Sequence, residues 1–154
     1  MTNLRREDRA ISEMEAKELL RKAQYGILST VSEDRQPYGV PLNFCFIEDC
    51  LYFHHAIEGH LIENITNNPF VSFCTVGDTE LMPEKFGTLY ESVILSGKVE
   101  EVFEAQKQTG LEGIIAKYSP DFMAQGREYI EKLWDRTRVF RIAIADISGK
   151  ARRE

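Results

Sequence analysis

The sequence predicts a mainly β protein with flanking helices, folded as one small closed sheet. Roughly five to six strand-like runs, rich in Val, Ile, Phe and Tyr, are separated by turn signals, and helical patterns interrupt them in only a few places. Strands and helices therefore do not alternate as they do in a βαβ series. At 154 residues the chain has the size of a single domain that can bury a core.

The composition is that of a globular protein, with 43% hydrophobic and 29% charged residues, which excludes disordered and fibrous classes. The formal charge of -6 argues against nucleic acid as a partner. The amino terminus carries charges where a signal peptide needs an apolar core, and no later run is apolar enough to span a membrane. Three cysteines without Cys-x-x-Cys spacing suit a reducing compartment. We therefore expect a cytoplasmic protein with free thiols.

The first predicted element is a helix over residues 12–24. Ser12 followed three residues later by Glu15 predicts a capping box. Apolar residues then repeat at the spacing of one helix face, at Ala16, Leu19, Leu20 and Ala23. Residues 1–11 precede this helix as an N-terminal arm.

A hairpin is predicted next, with strands over 25–31 and 37–46 joined by a polar turn. Pro37 and Pro41 each remove a backbone donor from the second strand, so this strand is expected at an edge or beside a bulge. A bulge would open the backbone toward a ligand at Val40, Pro41, Leu42 and Asn43.

The run over residues 50–73 predicts a strand, a helix that starts near Gly59, and a second strand. All three histidines, His54, His55 and His60, lie at or near the strand-to-helix junction. Because a helix start offers unpaired N–H groups and a positive dipole end, this junction is a candidate phosphate site. The alternative is a pair of partly exposed histidines and a glycine that only eases the turn. Side chains alternate along a strand, so His54 and His55 are not expected to face the same pocket.

The rest of the chain predicts further strands and helices. They are a loop over 77–87, one long or two successive strands over 88–103, helices near 111–118 and 130–134, a strand over 137–147 and a basic tail over 148–154.

Eight segments in chain order carry a resemblance to a known family. They are RREDR (5–9), GILSTV (26–31), PYGVPLNF (37–44), YFHHA (52–56), EGH (58–60), NP (68–69), SVI (92–94) with Gly97, and SGK (148–150). Together they resemble the pyridoxamine 5'-phosphate oxidase-like, FMN-binding split-barrel family, most closely its nitroimidazole-resistance (Nim-like) branch. The resemblance implies one split β-barrel domain over residues 1–154, with Greek-key-like topology, that forms a two-fold homodimer with FMN at the subunit interface.

The resemblance also implies a set of cofactor contacts. They are Val40, Pro41, Leu42, Asn43, His54, His55, Gly59, His60, Leu61, Ser92 and Lys150. His54 would act as the catalytic proton donor at the reactive edge of the flavin ring. The phosphate turn would comprise Gly59, His60 and Leu61, and Ser92 would reach the cofactor from the partner subunit.

Leu61 departs from the family pattern, because members usually carry Lys or Arg at this position. One phosphate partner is therefore missing. Arg35, Lys85 and Lys150 are candidate replacements, and the sequence does not rank them.

The implied function is an FMN-dependent oxidoreductase that reduces small molecules such as nitro-aromatic compounds, with NADH or NADPH as donor. One alternative in the same fold is a haem protein with a histidine as axial ligand. Another is a non-enzymatic flavin-binding sensor or storage module. A zinc site built from the histidines and Cys74 would lack the usual ligand spacing, so no metal is expected.

Overall fold

The computed structural model describes residues 3–154, so Met1 and Thr2 of the predicted arm lie outside the described residues. The described part of the chain contains eight strands and four α-helices. In chain order they are β1 (Ala10–Ile11), α1 (Glu13–Lys22), β2 (Gly26–Val31), β3 (Pro37–Leu42), β4 (Cys45–Ile47), β5 (Cys50–His55), α2 (His60–Asn67), β6 (Phe70–Met82), β7 (Gly87–Val102), α3 (Glu104–Tyr118), α4 (Met123–Leu133) and β8 (Arg138–Arg152).

The strands form one antiparallel sheet with the order β3-β2-β6-β7-β8-β5-β4, and β1 pairs with β8. The two ends of this order, β3 and β4, are joined by only Asn43 and Phe44. Two residues span a short distance, so the sheet must curl until its ends nearly meet. The result is a barrel that stays open between β3 and β4, which is the predicted split β-barrel.

Two apolar clusters hold the barrel together. The first fills its interior around the fully buried Leu28, Phe44, Phe53 and Phe73. The rings of Phe44 and Phe73 meet edge to face, with centroids 4.8 Å apart. The second cluster lies between the other side of the sheet and helices α3 and α4, with Tyr52, Val102, Leu111, Ile114, Ile130 and Val139 among its members. As a result, β5 is buried on both faces.

The predicted start of α1 is confirmed. Ser12 Oγ accepts a hydrogen bond from the Glu15 N–H at 3.1 Å, and the Glu15 carboxylate accepts one from the Ser12 N–H at 3.2 Å. The described part of the arm is tied to the fold, since Ala10 and Ile11 pair with Lys150 and Gly149 of β8. The two prolines of β3 lie in a terminal strand of the sheet, as their missing donors predict.

Two predicted boundaries are wrong. The single strand predicted over 37–46 is broken at Asn43 and Phe44, where the chain passes from one end of the sheet to the other. The loop predicted over 77–87 is a two-stranded ribbon in which Thr79 pairs with Tyr90 and Met82 pairs with Gly87. Most of its residues between Val76 and Phe86 are exposed, which explains why its composition is that of a loop.

Other strands are longer than predicted. The long strand expected over 88–103 is confirmed as β7, with a register shift at Ser96 and Gly97. The final strand does not end at Ile147, because β8 continues to Arg152. Most of the basic segment from Ser148 is thus paired strand.

Across residues 3–154 no helix is both long enough and apolar enough to cross a membrane. The three cysteines, Cys45, Cys50 and Cys74, are free thiols, as predicted.

Candidate functional site

The predicted phosphate turn is a sharp corner between β5 and α2. Gly59 has φ 144° and ψ 171°, a backbone conformation that residues with a Cβ rarely adopt. A Cβ at this position would also lie 3.0 Å from Cε1 of His55. Helix α2 starts directly afterwards at His60, where the first N–H groups of a helix lack partners within it. The corner can therefore present backbone donors to an anion.

The two neighbouring histidines of β5 lie on opposite faces, as strand geometry predicts. Phe53 packs in the barrel interior and Tyr52 packs under the helices. By alternation, His55 is on the barrel side and His54 on the helix side. The ring of His55 lies against Gly59, and its Nδ1 donates to the Ala56 carbonyl at 3.0 Å, which leaves Nε2 free as an acceptor.

Although the His54 side chain is exposed, its imidazole is partly desolvated. Desolvation lowers the pKa of His54 below its usual value, and the charge of His55 adds to this effect. The imidazole of His54 is thus neutral near neutral pH. Its cross-strand neighbour is Val139, a buried member of the second cluster.

The His60 side chain, at the start of α2, contacts β3. Its ring stacks on Tyr38 with centroids 4.4 Å apart and planes inclined by 13°. His60 borders a cavity of about 460 Å³ that is also lined by Glu33, Asp34 and Glu63. A hydrogen bond from Ser32 is the main cause that lowers the pKa of Asp34, and His60 contributes a smaller part. These carboxylates, close to the turn, would repel a bound anion, so nearby cations must offset their negative charge.

Arg138 is a cation beside this turn, and no sequence pattern predicts it there. Its Nη1 donates to the Ile57 carbonyl at 3.1 Å, and its Nη2 donates to Glu101 at 2.6 Å. Arg138 is the cross-strand neighbour of His55 in the β5–β8 pair. Its guanidinium therefore lies close enough to stabilise the loop that leads to Gly59. No motif surrounds Arg138, and only the pairing of distant strands places it there.

The Leu61 side chain does not face a ligand. It is 3% exposed and belongs to the barrel core. At this position, where the family usually carries Lys or Arg, the present chain therefore offers core packing and a backbone N–H. Asn64 holds the same helix to the sheet, since its buried Nδ2 donates to Thr30 Oγ1 at 2.9 Å.

Other predicted contacts lie at the opposite end of the barrel. Ser92 and Lys150 are cross-strand neighbours on β7 and β8. Lys150 is twelve residues beyond Arg138 along β8, which corresponds to roughly 40 Å of extended strand. Along β3, the alternate residues Val40 and Leu42 pack against the barrel core, whereas Pro41 and Asn43 are exposed. One chain alone therefore does not bring all the predicted contacts together.

One face of the sheet exposes an unusual amount of apolar surface. Pro41, Ile27, Cys74 and Ile94 form a row across four strands, and Val76 lies two residues beyond Cys74. The exposed fractions are 37% for Ile27, 49% for Ile94 and 56% for Val76. We call these five residues the outer apolar face. Contiguous apolar patches of this kind mark interaction surfaces.

Comparisons with known proteins identify the family. The model of the pyridoxamine 5'-phosphate oxidase family matches residues 12–151. A comparison with functionally curated proteins finds no match.

The solved structures that are similar to this chain include the following three. A candidate 5-nitroimidazole antibiotic resistance protein from Bacteroides thetaiotaomicron is 23% identical, with a TM-score of 0.75, 92% of this chain covered and 85% of the other. An FAD-binding protein from Mesorhizobium loti is 25% identical, with a TM-score of 0.65 and coverage of 94% and 97%. An FAD and haem binding protein from Mycobacterium smegmatis is 18% identical, with a TM-score of 0.81 and coverage of 93% and 72%.

The family match spans nearly all of the chain, and the split barrel agrees with it. The protein therefore belongs to the pyridoxamine 5'-phosphate oxidase family.

Proposed function

We propose that this protein is an FMN-binding oxidoreductase of the Nim-like branch that reduces small molecules such as nitro-aromatic compounds. NADH or NADPH would supply the electrons. The observation that carries the proposal is the corner at Gly59, where a backbone conformation that favours glycine opens the start of α2 beside β3 in a chain of this family. The free thiols support a cytoplasmic location as part of the proposal.

The residues at this corner fit a flavin phosphate. Backbone N–H groups of His60 and Leu61 would donate to the phosphate oxygens, and a protonated His60 would add a charge-assisted hydrogen bond. Arg138 holds the loop through Ile57, and Arg35, in the β2–β3 turn, directly follows Asp34, which lines the same cavity as His60. Because the charge of Arg138 is paired with Glu101, Arg35 is the cation that would offset the nearby carboxylates and the loss of the usual basic residue at Leu61.

A two-fold homodimer would complete the site. The outer apolar face supports a sheet-to-sheet contact between two copies, because such a contact would remove its aliphatic side chains from water. Ser92 and Lys150 lie on the same side of the sheet as Ile94, as the register of β7 with β8 indicates. In a dimer, the partner's Ser92 and the partner's Lys150 would approach a flavin whose phosphate lies at Gly59.

When bound, the flavin would accept hydride from the nicotinamide and pass electrons to the substrate. The protein would contribute binding, orientation and protons. Val40, Pro41, Leu42 and Asn43 would border the ring along β3. His54 is the proposed catalytic residue. Its neutral imidazole would donate a hydrogen bond, and its imidazolium form, whose population grows as the pH falls toward the lowered pKa of His54, would donate a proton. His55 would support the turn through its contact with Gly59.

Turnover distinguishes this proposal from a sensor or storage module. The flavin-loaded protein is mixed anaerobically with NADH or NADPH, and a nitro-aromatic compound is then added while the flavin absorbance is followed. We expect one of the two donors to reduce the flavin, and the nitro-aromatic compound to reoxidise it faster than oxygen alone does. A flavin that no donor reduces would contradict the enzyme proposal.

His60 tests the phosphate turn. The substitution His60→Ala removes a charge-assisted hydrogen bond, which contributes about 1.5–3 kcal/mol, so the Kd for FMN is expected to rise roughly tenfold to a hundredfold. The matched control is Cys50→Ala, which alters a half-buried thiol on β5 away from the turn. Fluorescence titration with FMN measures both affinities. Equal affinities in the two variants would contradict the phosphate-turn assignment.

Haem binding is the second candidate, because of one feature of His55. A backbone carbonyl holds its Nδ1–H, so Nε2 is presented as a free ligand atom, which is the usual arrangement of a metal-binding histidine. The similarity to the FAD and haem binding protein concerns the fold. Added haem should then give a sharp Soret band that His55→Ala abolishes, and a band unchanged in this variant would exclude His55 as the ligand.

A further inference from the structure

The gap between β3 and β4 is bridged by the last two residues of α3. Tyr118 Oη accepts a hydrogen bond from the Phe44 N–H at 3.1 Å and donates to the Gln24 carbonyl at 2.6 Å. Lys117 places its Nζ 3.7 Å from the centroid of the Phe44 ring. A cationic side chain is thus held at the point where the barrel is open.

The ammonium group of Lys117 is buried, and within residues 3–154 it has no hydrogen-bond partner. The ring faces of Phe44 and Tyr118, at 3.7 and 5.2 Å, attract the charge but do not replace an oxygen acceptor for its three N–H donors. Burial lowers the pKa of Lys117 to about 8, and the nearby Cys45 offsets part of this effect. A buried cation of this kind gains free energy when an anion reaches it.

A second lysine of the same helix shows what Lys117 lacks. Lys107 Nζ lies 4.2 Å from the centroid of the Trp134 ring and also donates to the Trp134 carbonyl at 2.8 Å. Both lysines lie over an aromatic ring, but only Lys107 has a protein oxygen as well. Of these two lysines, the one that lacks an oxygen acceptor is therefore the one at the barrel gap.

A cavity of about 670 Å³ lies beside Lys117. Arg21 and Lys22 also line it, whereas none of its lining residues is acidic. Arg21 and Lys22 share a single carboxylate, that of Glu18, at 2.9 and 3.3 Å. In a chain of formal charge -6, this local excess of positive charge favours anions.

The remaining walls suit a small organic molecule. The Tyr25 ring is 59% exposed and offers an apolar surface, and the exposed Asn43 adds an amide. The volume falls within the range of small-molecule sites. We propose that this cavity is a second ligand site, which takes a small molecule bearing a phosphate or carboxylate group that pairs with Lys117. It lies away from the proposed flavin phosphate turn, since Tyr38, which stacks on His60, is near the start of β3 and Asn43 directly follows its end. The two sites would meet only at Asn43, which is also placed beside the flavin ring.

The test uses two probes, phenyl phosphate and benzoate, titrated calorimetrically into the FMN-loaded protein at pH 7. We expect at least one probe to bind, and Lys117→Met to weaken its binding at least tenfold. The matched control Lys107→Met, on the same helix, should change the affinity less than twofold. Tighter binding of one probe identifies the anionic group that the cavity prefers.

Three results would overturn the proposal. They are no binding of either probe, equal losses in Lys117→Met and Lys107→Met, or displacement of the probe by excess FMN, which would assign the cavity to the flavin phosphate. Lys22→Gln provides a second variant that leaves the barrel gap unchanged, and it should weaken binding severalfold. Unchanged binding in both single variants, Lys22→Gln and Lys117→Met, would be a fourth such result, because it would place the probe elsewhere.

Discussion

Replacing Ile94 with glutamate is expected to give a folded monomer that no longer retains flavin. Ile94 is 49% exposed at the β7 end of the outer apolar face, between Cys74 on β6 and Ser148 on β8. A carboxylate there should barely change the isolated chain, since the side chain points away from both apolar clusters. In a two-fold contact it would be buried without a partner, which costs several kcal/mol. The flavin would be lost with the dimer because the partner's Ser92 and the partner's Lys150 would be missing.

Light scattering coupled to size-exclusion chromatography measures the mass, and the absorbance of the same peak measures bound flavin. The control is Tyr129→Glu, which introduces the same charge at an exposed aromatic residue on α4, outside the outer apolar face. The control should remain dimeric and yellow. An Ile94→Glu variant that does the same would contradict the proposed interface, whereas a monomer that keeps its flavin would contradict the shared site alone.

Replacing Phe44 with alanine should have the largest effect on stability. Phe44 is fully buried at the barrel gap, packs edge to face on Phe73 and lies under the Lys117 ammonium. Truncation of a buried phenylalanine costs about 3–5 kcal/mol, and here it also removes the cation–π contact. The free energy of unfolding in urea, measured at a fixed protein concentration, should fall by this amount.

Phe86→Ala is the matched control, because Phe86 is 97% exposed at the tip of the β6–β7 ribbon. It should change the free energy of unfolding by less than about 0.5 kcal/mol. Similar unfolding midpoints for the two variants would show that Phe44 does not pack in the core as described.

Local signals were enough to predict part of this fold. The Ser12–Glu15 capping box and the prolines of β3 each act within a few residues, and the structure contains both features. The break at Asn43 and Phe44 had no local signal, because the contact that holds the gap comes from Tyr118, 74 residues away from Phe44. The β6–β7 ribbon was missed for a similar reason, since its exposed residues are paired by backbone hydrogen bonds that composition does not reveal.

The same distinction applies to the candidate site. Gly59 and the opposite orientations of His54 and His55 follow from local chain geometry, so the sequence predicts them. Arg138 reaches the Ile57 carbonyl only because β5 pairs with β8, and Lys117 reaches the gap only because α3 packs beside β4 and β5. These two cations carry no motif, and their neighbours are set by the tertiary fold.

The visible absorption spectrum of the purified protein, followed by mass analysis of whatever heat releases from it, tests the central claim most directly. The proposal predicts a yellow protein with a flavin spectrum that releases FMN. A colourless protein that also fails to take up added FMN would contradict it, and would show that the buried Leu61 leaves the phosphate turn too weak to hold the cofactor.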